Sequence, residues 1–377
     1  MKPENSRHRP TQLAAQIVHR IRSAGPLSVA EYMRVCLHDP AHGYYRTQHA
    51  IGRAGDFITA PEISQVFGEL IGLWCAVVWQ QMGAPSQLNL IELGPGRGTL
   101  MRDALRAAKA SPDFYTAITV HLVETNAALL EHQRTLLNDE TVPIRWHKDI
   151  EGNHTKRPTI VVANEFLDTM PIDQWVFRNE RWRQRCIGLD EAQKLAFFDE
   201  RLDSELHPTF EQAATPREGD IFETRRPAFA AFASTLANLG SPFAALVIDY
   251  GHTEPAFGNT LQSIGDHRYE DPLSAPGEAD LTAQIDFTAL ANAMSAAGFS
   301  VDGPVSQAEF LGSLGIAERA RHLMGANPRS AVSIEGAIAR LMAPNGMGTR
   351  FKAIAARDPG LPSLPGLAQV DNGLTRS

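Results

Sequence analysis

The chain has 377 residues, of which 43% are hydrophobic and 21% charged, the balance of an ordinary globular protein. That length accommodates two or three small domains, or one large α/β domain with insertions. The formal net charge is −8 and no block of the sequence is basic, which disfavours a nucleic-acid partner.

The three cysteines, Cys36, Cys75 and Cys186, form no C-x-x-C pair, so neither a metal site nor a disulfide framework is expected. They read as reduced thiols of a cytosol-like compartment. The longest apolar run, Leu70 to Trp79, falls short of the ~20 residues that a membrane span needs, so no membrane insertion is expected. Lys2, Arg7, Arg9, Arg20 and Arg22 make the N-terminus basic, but no apolar segment precedes a small-residue cleavage site. A mitochondrial presequence would also be arginine-rich. Because the segment runs directly into a patterned region from Leu13, a mature amphipathic helix and a bacterial cytoplasmic location are preferred, with the mitochondrial matrix as the alternative.

In chain order, Leu13, Ile17 and Ile21 lie four apart and define one face of a helix over 11–24. Ser28 opens a second helix, with Glu31 at the third position of a capping box. The stretches H-D-P-A-H-G-Y-Y (38–45) and G-R-A-G-D-F-I-T-A-P (52–61) carry loop chemistry. Residues 62–82 read as a helix apolar enough to be buried. From residue 87 short apolar runs alternate with helical stretches. Leu88–Leu93, Ile118–Val123, Ile144–His147, Ile160–Ala163 and Ala244–Ile248 read as buried strands, and Thr99–Lys109 and Asn126–Leu137 as helices between them. The region 172–240 interrupts this alternation and begins as a hairpin turning at Asn179-Glu180. A helix over 287–297 ends at Gly298, and two late strands are expected near Val305–Phe310 and Phe351–Ala355. The expectation is an α/β fold with a Rossmann-like parallel sheet. Its parts are an N-terminal helical lid region at 1–85 and a main domain at 86–377, with an insertion at about 172–240.

The stretch L-I-E-L-G-P-G-R-G-T-L (90–100) follows a strand and opens a helix, the place where backbone amides meet polar ligand groups. Gly94, Gly96 and Gly98 are spaced G-x-G-x-G, one position tighter than the dinucleotide fingerprint, and Thr99 follows. Glu92 stands inside the strand end, where a dinucleotide enzyme needs no acid. E-x-G-x-G-x-G is instead the signature of class I S-adenosylmethionine-dependent methyltransferases. That cofactor has no pyrophosphate; its amino-acid end carries an ammonium that Glu92 can face. A ligand-free tight turn is the competing reading of three glycines alone. The context narrows it: Glu124 ends the next strand, where an acid suits ribose hydroxyls, Asp149 follows the third and suits an adenine amino group, and Asn164 and Glu165 end the fourth. Each acid alone could equally be a helix cap or a solvated loop residue. Together they mark one crevice at the carboxyl ends of the strands.

Six motifs then occur in order: G-D-F-I-T-A-P-E-I-S (55–64), E-L-G-P-G-R-G-T-L (92–100), A-N-E-F-L-D (163–168), I-D-Y-G (248–251), D-P-L-S-A-P-G-E-A-D-L-T-A (271–283) and M-G-T-R-F-K (347–352). On these residues the chain resembles the MidA-like methyltransferase family, whose eukaryotic members are mitochondrial complex I assembly factors, from about residue 13 to residue 355. The resemblance implies a class I methyltransferase fold, S-adenosylmethionine as cofactor, and as acceptor a protein arginine in a complex I subunit, dimethylated symmetrically. Ala127, Thr169, Met170 and Gln284 depart from the family pattern, and Gln284 leaves acceptor specificity open.

An arginine acceptor poses a chemical problem, because a guanidinium is protonated and has no lone pair to spare. A carboxylate must hold it, fix the free nitrogen and take up charge as the proton leaves. Glu165 is the first candidate and Asp168, three residues on, the second; Asp168 reads equally well as a first-turn helix acid. Asp56, Phe57, Thr59 and Glu62 belong to a lid over the cofactor. Phe57 is placed to shield the sulfonium by a cation–π contact, or is simply a core aromatic. Asp249, Tyr250 and His252 end the fifth strand on the acceptor side, with His252 equally readable as a surface histidine. The competing functions are a small-molecule methyltransferase on the same fold and a non-catalytic, cofactor-binding assembly chaperone.

Overall fold

Runs of Leu, Ile and Val without polar alternation need cover on both faces, which suits the interior of a parallel sheet. Leu88–Leu93 (β1) is buried along its whole length. Ile118–Val123 (β2) and Ile144–His147 (β3) follow. Thr159–Asn164 (β4) is again wholly buried, and Phe243–His252 (β5), Ser300–Ser306 (β6) and Phe351–Arg357 (β7) lie in the same sheet. Its order is β6-β7-β5-β4-β1-β2-β3. β1 to β5 run parallel, and β7 is antiparallel to both of its neighbours. The order reverses between β1 and β4, the switch point outside which open α/β sheets bind ligands. This is the doubly wound sheet expected of a class I methyltransferase.

The computed structural model describes residues 11–47, 59–150, 156–200, 215–254, 256–265 and 268–367. The chain divides into two compact units: Met1–Phe57, Asp168–Ala228 and Glu254–Asp286 form one, and Ile58–Leu167, Phe229–Thr253 and Phe287–Ser377 the other, which contains the sheet.

In the sheet unit, Ala60–Ile63 (α1) and Gln65–Gln81 (α2) replace the single helix expected over 62–82. Ser64 separates them and caps α2, its hydroxyl accepting from the Val66 amide. α2 packs on Thr99–Ala108 (α3) at close range, because a Cβ on Gly72 would lie 2.4 Å from the Ala104 carbonyl oxygen. Glu69 on α2 is buried and takes hydrogen bonds from Arg106 (2.9 Å) and Arg319 (2.7 Å), tying α2 to α3 and to the helix Ile316–Ala326. Trp74, Phe67, Phe114, Leu90 and Ile160 centre the core. Ala127–Leu136 (α4) connects β2 to β3. The strand expected near Val305–Phe310 is corrected: β6 ends at Ser306, and Gln307–Ser313 is a helix. Ser306 and Glu309 form a capping box there, which ends the strand and nucleates the helix.

The other unit joins segments far apart in sequence. Leu27–Ser28 pairs antiparallel with Arg181–Leu189, placing Leu27 opposite Ile187. Arg181–Leu189 also pairs with Asp173–Arg178 across the expected turn, where Asn179 and Glu180 both have positive φ. Leu13, Ile17 and Ile21 on the first helix are buried with Ile172, Ile187 and Leu281. Ser28 and Glu31 make the expected capping box. This grouping differs from the division at residue 85 read from the sequence: the N-terminal helices and the interrupting strands share one core, while α2 belongs with the sheet.

Candidate active site

The glycine loop leaves β1 at Leu93. Gly94, Gly96 and Gly98 have φ of +62°, +53° and +81°, the left-handed region where a side chain is strained. Space adds a second reason at its two ends. A Cβ on Gly94 would lie 2.8 Å from Cδ2 of Phe166, and one on Gly98 would lie 3.2 Å from Cγ of Gln133. Gly98 caps α3, whose first residue, Thr99, donates its hydroxyl to the Glu62 carboxylate on α1. Arg97 lies 3.8 Å from the same carboxylate.

At the carboxyl ends of the two central strands the structure holds two unsatisfied acceptors. Glu92 is 3% exposed, and its Oε2 has no hydrogen-bond partner among the described residues. Burial, and secondarily the nearby Glu124, push its carboxyl up to about 8. Asn164 follows Ala163, the residue paired with Leu93; its Oδ1 is likewise buried without a partner among the described residues, while its Nδ2 donates to Glu165 Oε1 at 3.2 Å. A buried acceptor without a donor is costly in a folded protein. Two of them on adjacent strands call for a ligand that brings N–H donors and positive charge.

Glu124, one strand further, accepts the Thr125 and Asn126 amides through Oε1, each at 2.7 Å. Burial raises its carboxyl, and those amides together with a hydrogen bond from Gln133 oppose the shift. Asn126 caps α4, its Oδ1 accepting from Ala128 and Leu129. Beneath this edge His121 and His147 stack, with Nδ1 of His121 3.0 Å from Nε2 of His147, and burial lowers His121 to about 4. Asp149 lies beyond β3 and is exposed.

Glu165 adopts φ +52°, a strained turn for a side chain of its size. Its Oε1 accepts the Ala60 amide at 3.0 Å, so the fourth strand's end anchors the start of α1. Asp249 is fully buried near the carboxyl end of β5 and accepts the Leu167 amide at 3.0 Å and the Tyr250 amide at 2.9 Å, which fixes the turn carrying Glu165. Thr59 precedes α1, and its carbonyl accepts the Glu62 and Ile63 amides. Glu92, Gly94, Gly96, Gly98, Thr99, Glu124, Asn164, Glu165 and Thr59 thus all belong to the sheet unit. Asp168 opens the other unit, where its carbonyl accepts the Ala283 amide and the buried Arg225 guanidinium, which also spans Met170, Ala283 and Gln284. Asp56 and Phe57 lie outside the described residues.

Sequence reading gave no binding or positioning role to Phe166, Gln133 or Asn126. Asn126 had a local signal, an Asx residue just before a helix. Gln133 sits seven positions on, two turns along the same face. Phe166 finds its partner in the glycine loop only through the fold.

Residues 70–305 match the family model described as "Putative S-adenosyl-L-methionine-dependent methyltransferase". A Xenopus tropicalis protein named protein arginine methyltransferase NDUFAF7, mitochondrial, is 35% identical over 370 residues, covering 90% of this chain and 84% of that one. The human protein of the same name is 34% identical over 381 residues, covering 92% and 83%. A crystal structure of a Burkholderia thailandensis protein bound to S-adenosyl-homocysteine superposes with a TM-score of 0.82 at 27% identity, covering 94% of each chain. The motifs, the sheet order and these relatives agree: the chain belongs to the MidA-like family of S-adenosyl-L-methionine-dependent methyltransferases, and S-adenosylmethionine is its cofactor.

Proposed function

We propose that this enzyme methylates an arginine of a protein acceptor, a subunit of respiratory complex I, by symmetric dimethylation that supports assembly of the complex. The arginine acceptor is supported by the names of the relatives, and the complex I assignment by the family resemblance. The observation that carries the reading is the pair of buried, unsatisfied acceptors, Glu92 Oε2 and Asn164 Oδ1, beside a carboxylate held in a strained turn at Glu165.

When bound, the cofactor supplies a methyl group on a sulfonium. Glu92 faces its ammonium, and Asn164 takes a further donor. The loop of Gly94, Gly96 and Gly98 lets its amino-acid portion approach the backbone, with Thr99 at the helix start. Glu124 takes the ribose hydroxyls and Asp149 the adenine amino group. Thr59 covers the cofactor from the start of α1; Asp56 and Phe57, read with it as a lid, lie outside the described residues. Glu165 would hold the acceptor guanidinium, orient the nitrogen that takes the methyl group as the sulfur–methyl bond breaks, and accept the proton that this nitrogen loses. Asp168 is a second acidic group for the acceptor. The enzyme works in a compartment that keeps its buried thiols reduced, the bacterial cytoplasm, with the mitochondrial matrix as the alternative. Among the described residues no helix is long and apolar enough to cross a membrane.

Mass spectrometry of complex I subunits from cells with and without the gene tests the reading. Dimethylarginine should disappear from one subunit when the gene is absent. Unchanged arginine methylation across the complex would overturn the acceptor assignment.

A further inference from the structure

We infer that Gln133 is a positioning residue of the cofactor site, one carboxamide that sets the glycine loop and Trp146 in a single arrangement. The inference rests on the reading above that the glycine loop and Glu124 hold the cofactor.

Gln133 lies on α4 and is fully buried. A carboxamide removed from water is unfavourable unless its donors and acceptor are all used. Here they are. Nε2 donates to the Gly96 carbonyl at 2.7 Å. Oε1 accepts the Trp146 indole N–H at 3.0 Å. Gln133 also favours the ionised form of Glu124. One side chain therefore joins the loop after β1 to β3. Its aliphatic part packs against Gly98, where an added Cβ would lie 3.2 Å from Cγ.

The Gly96 contact matters because glycine can populate several backbone conformers at little cost. The hydrogen bond from Nε2 selects the one with its carbonyl turned toward α4, and so fixes the direction of the peptide groups that a ligand meets in the loop. At the start of the same helix the Thr125 and Asn126 amides grip one oxygen of Glu124. The loop read as meeting the cofactor is thus held by a residue that need not touch it.

Purified full-length Gln133→Leu, Gln133→Glu and Glu124→Ala proteins test this, with S-adenosyl-homocysteine affinity by calorimetry, steady-state kinetics, and the Trp146 indole N–H resonance assigned through Trp146→Phe. Gln133→Leu should raise Kd and the S-adenosylmethionine KM by about 10–100-fold, the range of a lost buried hydrogen-bond set, while kcat changes much less. Gln133→Glu keeps an acceptor for Trp146 but cannot donate while ionised. It should retain the indole resonance, bind more weakly than the parent at mildly alkaline pH, and close that gap to the parent as the pH is lowered and the new carboxyl takes up a proton. A residue that only filled space would not show that recovery. Parental affinity in both Gln133 variants with loss in Glu124→Ala would overturn the role of Gln133 alone. Parental affinity in Glu124→Ala would overturn the site reading itself. If Gln133→Leu fails to fold, the pH profile and indole signal of Gln133→Glu decide the matter.

Discussion

The substitution Glu92→Gln separates the charge of this side chain from its size. The Glu92 carboxyl has a folded pKa of about 8 against an ordinary 4.5. An acid raised in this way keeps its proton in the folded state over a window where the unfolded chain has lost it. Stability is then greatest below about pH 4.5 and falls as the pH rises to about 8. By pH 7 the accumulated cost is at most about 3 kcal/mol, and the Glu92→Gln variant should recover part of it in the cofactor-free protein. Binding has the opposite sign. At pH 7 Glu92 is about 0.9 protonated, and an ammonium placed against it favours the carboxylate, so about 0.9 proton should be released per cofactor bound. Affinity of the parent should rise about tenfold per unit between about pH 6 and pH 7.5, below the range where the cofactor's own amino group titrates. Glu92→Gln should bind without proton release, and its deficit relative to the parent should widen with pH, reaching about 10–100-fold, the size of a charge-assisted hydrogen bond. Calorimetry of S-adenosyl-homocysteine binding in buffers of different ionisation enthalpy measures the proton directly. No proton release in the parent, together with parental affinity in Glu92→Gln, would refute the placement of the ammonium at Glu92.

Two further outcomes concern stability. Glu69→Ala leaves Arg106 and Arg319 without their buried partner; because those side chains are 41% and 37% exposed, the cost should be about 2 kcal/mol rather than the larger penalty of a fully buried pair. An unfolding free energy from urea titration within about 0.5 kcal/mol of the parent would contradict that network's role. His121 is held neutral, with a folded pKa of about 4 below its ordinary 6.5, so its contribution is present above about pH 6.5 and lost as the pH falls toward 4. Between pH 7 and pH 5 the parent should lose about 1–2 kcal/mol that His121→Asn does not, as read from urea midpoints at the two pH values.

The sheet was legible because buried parallel strands are continuous apolar runs. β1 and β2 begin and end where the Leu and Ile runs do. The polar residues at their carboxyl ends were legible for the same reason, since parallel strands bring those ends to one edge. Pairing between distant segments was not. Nothing local in Leu27–Ser28 announces its partner Arg181–Leu189, so the N-terminal helices read as a separate region although they share a core with the interrupting strands. Val305 and Phe310 read as strand because they are apolar and bulky, and the S-x-x-E signal at 306–309 outweighed them. Gln133 looks like any polar residue of a solvated helix face. Only burial against Gly98 and its bond to the Gly96 carbonyl mark it.

The most direct test of the catalytic reading is methyl transfer by Glu165→Gln, with methyl-labelled S-adenosylmethionine and an isolated complex I subunit or its arginine peptide. The amide keeps an oxygen for the Ala60 N–H, so the start of α1 stays anchored and only the anionic charge is lost. The parent should place label on arginine. Glu165→Gln should bind S-adenosyl-homocysteine with parental affinity and transfer about 10²–10⁴-fold more slowly. Transfer at the parental rate, or parental label on a residue other than arginine, would contradict the assignment of Glu165 as the guanidinium anchor.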